Sequence, residues 1–357
     1  MPHDALVAGR DVKFFSIIFL FAIAVGCAVS PARTQEGELP RCEAPISNAG
    51  VNWVSRLFKW ETRTSPVHIA GPIYFVGTEG LGAYLIKTSD GHILLNTGMR
   101  SSGPMIEWSI SQIKHLAPKG KHEEVKTKNI KWLLANHAHV DHVGGHAYFK
   151  ESDKFAIEEV RVRKPDTLLL ADGGKTDFQY RNCKGFAFPA VAGVKDFDED
   201  RQQSGTYLPF TRGDVSLQII PTPGHTRGST TFMAEVEHHG KKYKVVFLDG
   251  ANVNLGYKVN PLKEQSYTDI DEDFRATFKR LISLEPDIWL SAHTADFDFD
   301  DKRKLAATKQ SPEPWLDRGG PDGYKCFVAR RWVEFERRAR APVTEAAQHL
   351  SKHCTSP

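Results

Sequence analysis

The chain has 357 residues, with 47 Lys and Arg against 44 Asp and Glu and a formal charge of +3. That length holds one large domain or two modest ones. The near-balance lacks the clustered basic excess of a nucleic-acid binder, so no nucleic-acid partner is expected, and an apolar share of 40% is ordinary for a globular protein.

The N-terminus stands apart. "MPHDALVAGRDVK" carries Arg10 and Lys13, and "FFSIIFLFAIAVGCAVS" follows, apolar with small residues at its end. This is the charged-then-apolar plan of a secretory signal peptide, read over residues 1–29. Its apolar core of about 15 residues is shorter than the roughly 20 a spanning helix needs. No stable membrane association is therefore expected after signal removal, and the chain is expected in the periplasm or outside the cell. An uncleaved anchor is the competing reading. "AVGC", ending at Cys27, loosely resembles a lipoprotein signal but has no Leu three positions before the cysteine. Residues 30–50 are polar and Pro/Gly-rich and read as a linker. A folded domain is expected over 51–345, and a tail over 346–357. With the signal removed, Cys42, Cys183, Cys326 and Cys354 remain. Four cysteines allow three disulfide pairings, and none here has CxxC spacing.

From 67 to 98 the pattern predicts strands, in "VHIAGPIYFVGT", "LGAYLIKT" and "GHILLNTG", broken at Gly71-Pro72, Glu79-Gly80 and Asp90-Gly91. Met105, Ile106, Ile110, Ile113 and Leu116 recur at helical spacing and predict a helix over 104–116. "IKWLLA" (130–135) is a short apolar run that reads as a buried strand. Strand, helix, strand, then a polar loop is α/β logic, with ligands beyond the strand's carboxyl end. The second half repeats the plan. "VSLQIIPT" (215–222), "KKYKVVFLDG" (241–250) and "DIWLSAH" (287–293) are strand-like, and "DEDFRATFKRLISL" (271–284) is an amphipathic helix. Tyr324, Val328, Trp332, Phe335 and Ala339 form one stripe of a C-terminal helix over 324–339, whose arginines, Arg330 through Arg340, read as its solvated face.

The chemistry concentrates in "NHAHVDHVGG" (136–145), directly after the strand at 130–135. His137 and His139 are two apart, so an extended backbone lets both converge on one ion. Asp141 and His142 project differently and reach a second. Imidazole and carboxylate suit zinc. A catalytic zinc needs three protein ligands and an open position, so further histidines are expected after other strands. His225 in "TPGHTRGS" and His293 in "LSAHTADFDF" stand there. His146 reads as helical or packed, and His92, His115 and His122 as surface residues. "GGKTDF" (173–178) reads either as the border of a groove, with Lys175 or Thr176 toward a carboxylate, or as a plain surface turn.

These stretches resemble the metallo-β-lactamase-fold hydrolases, and specifically the subclass B3 metallo-β-lactamases, over roughly residues 60–340. HxHxDH marks the superfamily. "IAGPIYFVGTEGLGAYLI", "ADGGKTDF", "PTPGHTRGSTT", "NVNLGYK" and "SAHTADFD" point to the subclass, as do histidines at both 137 and 142 with no cysteine after the strand at 241–248. The resemblance implies an α/β fold, an αββα sandwich of two similar halves with the metal site at the sheet edges. It implies two Zn2+ ions, one on His137, His139 and His225 and one on Asp141, His142 and His293. Asp141 would also serve catalysis by orienting the nucleophilic water. The implied activity is zinc-dependent hydrolysis of the β-lactam ring amide of penicillins, cephalosporins and carbapenems by a metal-bound hydroxide, so the implied partner is a small-molecule β-lactam. No GxSxG or SxxK context supports covalent catalysis.

The chain departs from the family in places. Gly250 stands where a serine is common, and Asn96 where many members have Asp. Pro286 leaves Cys326 without the family's disulfide partner. Asp249 reads either as a bridging carboxylate, as in glyoxalase-like relatives, or as a hydrogen-bond acceptor behind a ligand. The first option keeps a lactonase, thioesterase or phosphodiesterase as the alternative function, because fold likeness alone does not separate these activities. A non-catalytic exported binding protein is a third reading, disfavoured because all six ligand types are present.

Overall fold

A computed structural model describes residues 48–116, 124–197 and 207–340, with 344, 347, 348 and 354. The apolar leader, most of the linker and His122 lie outside the described residues. Among the described residues no helix is long and apolar enough to cross a membrane.

The chain enters through helix α1 (Asn48–Leu57) and builds β1 (Val67–Ala70), β2 (Ile73–Phe75), β3 (Tyr84–Thr88) and β4 (Gly91–Leu95). Helix α2 (Ser102–Ser111) crosses over to β5 (Ile130–Leu134). Helices α3 (Val140–Val143) and α4 (His146–Glu151) lead to β6 (Glu159–Arg161), and α5 (Asp166–Asp172) leads to β7 (Val194–Lys195). These seven strands form one sheet in sequence order, antiparallel from β1 to β4 and parallel from β4 to β7.

The second sheet takes β8 (Phe210–Arg212), β9 (Val215–Pro221), β10 (Thr230–His238) and β11 (Lys241–Leu248) as an antiparallel meander. Helix α6 (Ile270–Ser283) then carries the chain to β12 (Ile288–Ser291), which pairs with β11 in parallel. Each half is thus a meander followed by helical crossovers, three in the first sheet and one in the second, in line with the strand-and-helix plan that the sequence repeats. Helix α7 (Phe299–Ala306) and helix α8 (Tyr324–Ala339) complete the domain.

Burial explains the strand patterns. β4 and β5 are covered on both faces, so they read as continuous apolar runs. Trp132 and Leu134 join the core between the sheets, whereas Ile130 and Leu133 join a second core under α2 to α5. In the inter-sheet core Tyr84 of β3 meets Phe247 of β11, ring centroids 5.1 Å apart. On the other side α6 and α8 pack together through Phe278 and Trp332, and α8 covers β12 through Phe327 against Trp289. The result is the expected αββα sandwich.

Several local expectations change. The helix expected over 104–116 ends at Ser111, and a 3-10 turn over Ile113–His115 follows, so Leu116 is exposed. His92 is buried, because its Nδ1 accepts the Thr88 N–H across the turn between β3 and β4. The arginine face of α8 is only partly solvated. Arg338 donates to the backbone carbonyls of Val253, Asn254 and Tyr257, so it staples the 252–258 loop to the helix. Cys326 pairs with Cys354 in place of the family's partner, and Cys183 is disulfide-bonded as well.

Candidate metal centre

Every candidate ligand follows the carboxyl end of a strand. β5 leads into 136–142, β9 into His225, β11 into Asp249 and β12 into His293. The first loop is extended through His139, which caps α3 at φ −85°, ψ 158°. His137 and His139 therefore lie on extended chain, while Asp141 and His142 ride in the short helix. The Thr97 N–H donates to the His142 carbonyl at 2.7 Å and anchors α3 to the turn after β4. At the loop's start the Asn96 side chain donates to Asn136 Oδ1 and accepts from the Asn136 N–H, and Asn136 also donates to the Thr230 carbonyl in the opposite sheet.

Three imidazoles face one another. His137 Nε2 lies 3.1 Å from His139 Nδ1, which lies 3.1 Å from His225 Nε2. The opposite nitrogen of each ring points at a group that accepts. His137 Nδ1 meets both Asp249 oxygens at 3.1 and 3.0 Å, His139 Nε2 meets Asp177 at 3.0 Å, and His225 Nδ1 meets the Asn252 carbonyl at 2.7 Å. A carboxylate or carbonyl only accepts, so those outer nitrogens carry the protons. The inner three are then bare lone pairs at 3.1 Å. Lone pairs repel at that distance unless a cation sits among them, and three imidazole nitrogens with an open fourth position are what a catalytic zinc takes.

The second set fits as well. Asp141 Oδ2 lies 3.4 Å from His293 Nε2 and 4.0 Å from His142 Nε2. Among the described residues both His142 nitrogens are buried without a hydrogen-bond partner, and ligation of a metal would satisfy one of them. Ligand atoms of His137 also lie within 4.8 Å of those of Asp141 and His142. Distance alone would let His137 serve either set, but its lone-pair nitrogen faces His139, so His293 completes the second.

The electrostatics favour a neutral ring at three of the centre's four buried histidines, with His139 the exception. Burial pushes His137 and His142 well below the usual histidine range, helped by the neighbouring imidazoles. Burial likewise lowers His225, to about 4. Burial works against charge on His139 too, but the Asp177 carboxylate outweighs it and raises its pKa. Burial raises Asp141, but His142, His293 and His139 around it prevail and hold it below the usual carboxylate range. Burial raises Asp249 to about 6. A small recess opens over this floor, lined by His142, His225, Asn252 and His293 among others.

The six candidate ligand residues chosen from the sequence thus lie together in the fold. Asp249 sits behind His137, the second of its two expected roles. His146 is packed, as expected, with Nδ1 2.7 Å from Thr97 Oγ1. In the "GGKTDF" loop the residue that reaches the centre is Asp177, while Lys175 and Thr176 are exposed. Sequence reasoning missed Asp166. Its carboxylate accepts from the Ala138 N–H at 2.9 Å, Thr226 Oγ1 at 2.7 Å and the Gly228 N–H at 2.9 Å. It thereby clamps the first histidine loop to the His225 loop. An aspartate at the start of a helix ordinarily reads as a favourable charge near the helix N-terminus, so no local signal marks it.

Comparison with known proteins agrees with this geometry. The family model of the metallo-beta-lactamase superfamily matches residues 83–236, which include five of the six candidate ligands. The native FEZ-1 metallo-β-lactamase of Legionella gormanii is 31% identical, with 78% of this chain and 97% of that chain covered at a TM-score of 0.67. BJP-1, a subclass B3 metallo-β-lactamase of Bradyrhizobium japonicum, is 28% identical over 82% and 99%, with a TM-score of 0.66. LRA-12, a class B3 di-zinc metallo-β-lactamase from an Alaskan soil metagenome, is 25% identical over 78% and 96%, with a TM-score of 0.64. Converging imidazoles at paired sheet edges and these likenesses lead to one conclusion: the chain belongs to the metallo-β-lactamase superfamily, as a metal-dependent hydrolase that resembles its subclass B3 members.

Proposed function

We propose that the chain hydrolyses the ring amide of β-lactams, taking penicillins, cephalosporins and carbapenems, with two Zn2+ ions in the centre. The observation that carries this is the triple of bare nitrogens on His137, His139 and His225 beside Asp141, His142 and His293. The B3 β-lactamases to which the chain is similar supply the substrate class. When bound, the two ions would lower the pKa of a shared water toward neutrality and polarise the amide carbonyl. Asp249, Asp177 and the Asn252 carbonyl fix each imidazole's proton on the outer nitrogen, so the inner one is always available. Asp141 stays ionised between two imidazoles, so its carboxylate could orient the nucleophilic water by accepting a hydrogen bond from it. His293, its side chain 26% exposed, is the most open of the six candidate ligands and lines the recess. The lactonase or thioesterase alternative drew on Asp249 as a bridge. With both its oxygens on His137 Nδ1, the acceptor role is better supported.

The test is ring opening followed by absorbance on one representative of each β-lactam class, with zinc, with chelator, and in His139→Ala. Turnover that chelator and the substitution both remove is expected. A zinc-loaded protein inert on all three classes, yet active on a lactone or thioester, would replace the reading. Export through residues 1–29 to the periplasm or beyond is part of the proposal. Cell fractionation with the intact mass of the mature chain checks it, and an uncleaved cytoplasmic product would refute it.

A further inference from the structure

The two sides of the centre are held in different ways. Each imidazole of the first set has an acceptor behind its ring. The His293 ring, among the described residues, meets only other rings and Asp141, with Trp60 5.6 Å away. Its setting comes through its backbone. The His293 N–H donates to Ser291 Oγ at 3.2 Å, and the Ser291 hydroxyl donates to Asp296 Oδ2 at 2.8 Å. The Asp296 N–H returns to the His293 carbonyl at 3.0 Å, so the turn is closed on itself. Across from it Arg331 of α8 brings Nη2 to 3.5 Å from Asp296 Oδ1, whose side chain is 7% exposed.

The chain of donors has one direction. A carboxylate only accepts, so Asp296 draws the single Ser291 hydroxyl proton toward itself. That leaves a Ser291 lone pair facing His293 N–H. Without the carboxylate the hydroxyl is free to rotate, and the amide that aims His293 loses its fixed partner. The rest of the turn is pinned independently. Gly82 N–H donates to the Ala292 carbonyl, Thr294 bonds Gly80 and Glu79, and Tyr84 OH donates to the Ser291 carbonyl. Removing Asp296 should therefore loosen the aim of one imidazole without unfolding its loop.

We propose that Asp296, with Arg331 as its counter-ion, is a positioning residue for His293 and sets how tightly the Asp141, His142 and His293 side holds its ion. The inference rests on the two-ion reading above. Partners behind metal ligands typically change affinity by about 10–100-fold.

The test titrates Co2+ into metal-free wild type, Asp296→Ala and Arg331→Met, followed by visible absorption, with zinc stoichiometry by native mass spectrometry and Tm alongside. Wild type should take two ions. In Asp296→Ala, which removes the acceptor of the Ser291 hydroxyl, the first ion should bind as before and the second about 10-fold or more weaker, with Arg331→Met shifting the second ion in the same direction by less. An unchanged second affinity in Asp296→Ala, or equal losses for both ions with a fall in Tm, would overturn the proposal and leave the two-ion reading standing. A wild type that takes no second ion would overturn both.

Discussion

Replacing Asp166 by alanine should loosen the centre from behind. Three donors lose one acceptor: the Ala138 N–H, between two ligands; Thr226 Oγ1, next to a third; and the Gly228 N–H. A hydrogen bond to a charged group contributes about 1.5–3 kcal/mol. Burial works against the carboxylate itself and raises its pKa, which offsets part of the sum. The expected net loss is about 3–5 kcal/mol, in the range seen when one partner of a buried charged network is removed. Asp166→Asn keeps one accepting oxygen but turns an amide donor on a donor, so about 1–3 kcal/mol is expected. Gly228→Ala should move the same way, because a Cβ there would lie 2.3 Å from Asp166 Cγ. Urea unfolding followed by tryptophan fluorescence measures the stability, and competition with a chromophoric chelator measures the first ion's affinity. If Asp166→Ala lost less than about 1 kcal/mol and held its first ion as tightly as wild type, the clamp argument would be wrong.

Restoring the family's serine by Gly250→Ser should destabilise by about 1–3 kcal/mol and not raise turnover, since φ is +84° there and a Cβ would stand 2.2 Å from the Thr222 carbonyl oxygen; a stable, faster variant would refute this. Burial holds the His146 pKa at about 3. Below pH 6.5 the unfolded chain takes up a proton that the folded one refuses, so stability falls as pH drops toward 3, by about 1.4 kcal/mol per unit. Between pH 7 and 4.5, His146→Gln should lose about 2–3 kcal/mol less than wild type in denaturation midpoints converted to free energy, and parallel curves would contradict the assignment. Arg338→Ala leaves the carbonyls of Val253, Asn254 and Tyr257 without their donor. Because the Asn252 carbonyl orients His225, KM should rise several-fold or first-ion affinity fall; kinetics and metal affinity equal to wild type would show the staple to be dispensable.

How much was legible follows from the range of each interaction. The crowding of His137, His139, Asp141 and His142 after an apolar strand is a local pattern, and it named a metal site without help. Strand and helix periods in each half were local too, because β4 and β5 are buried on both faces and β9 alternates between core and solvent. His225 and His293 were individually weak and became persuasive through their joint placement after strands. Only the tertiary structure decided the rest. Asp166 and Asp177 touch residues 28 and 38 positions away, and Asp249 touches His137 across 112. Whether a carboxylate bridges ions or holds an imidazole's proton depends on which atom it faces after the sheets pack. Sequence spacing carries ligand chemistry, whereas the aim of each ligand is set by long-range hydrogen bonds that exist only in the folded chain.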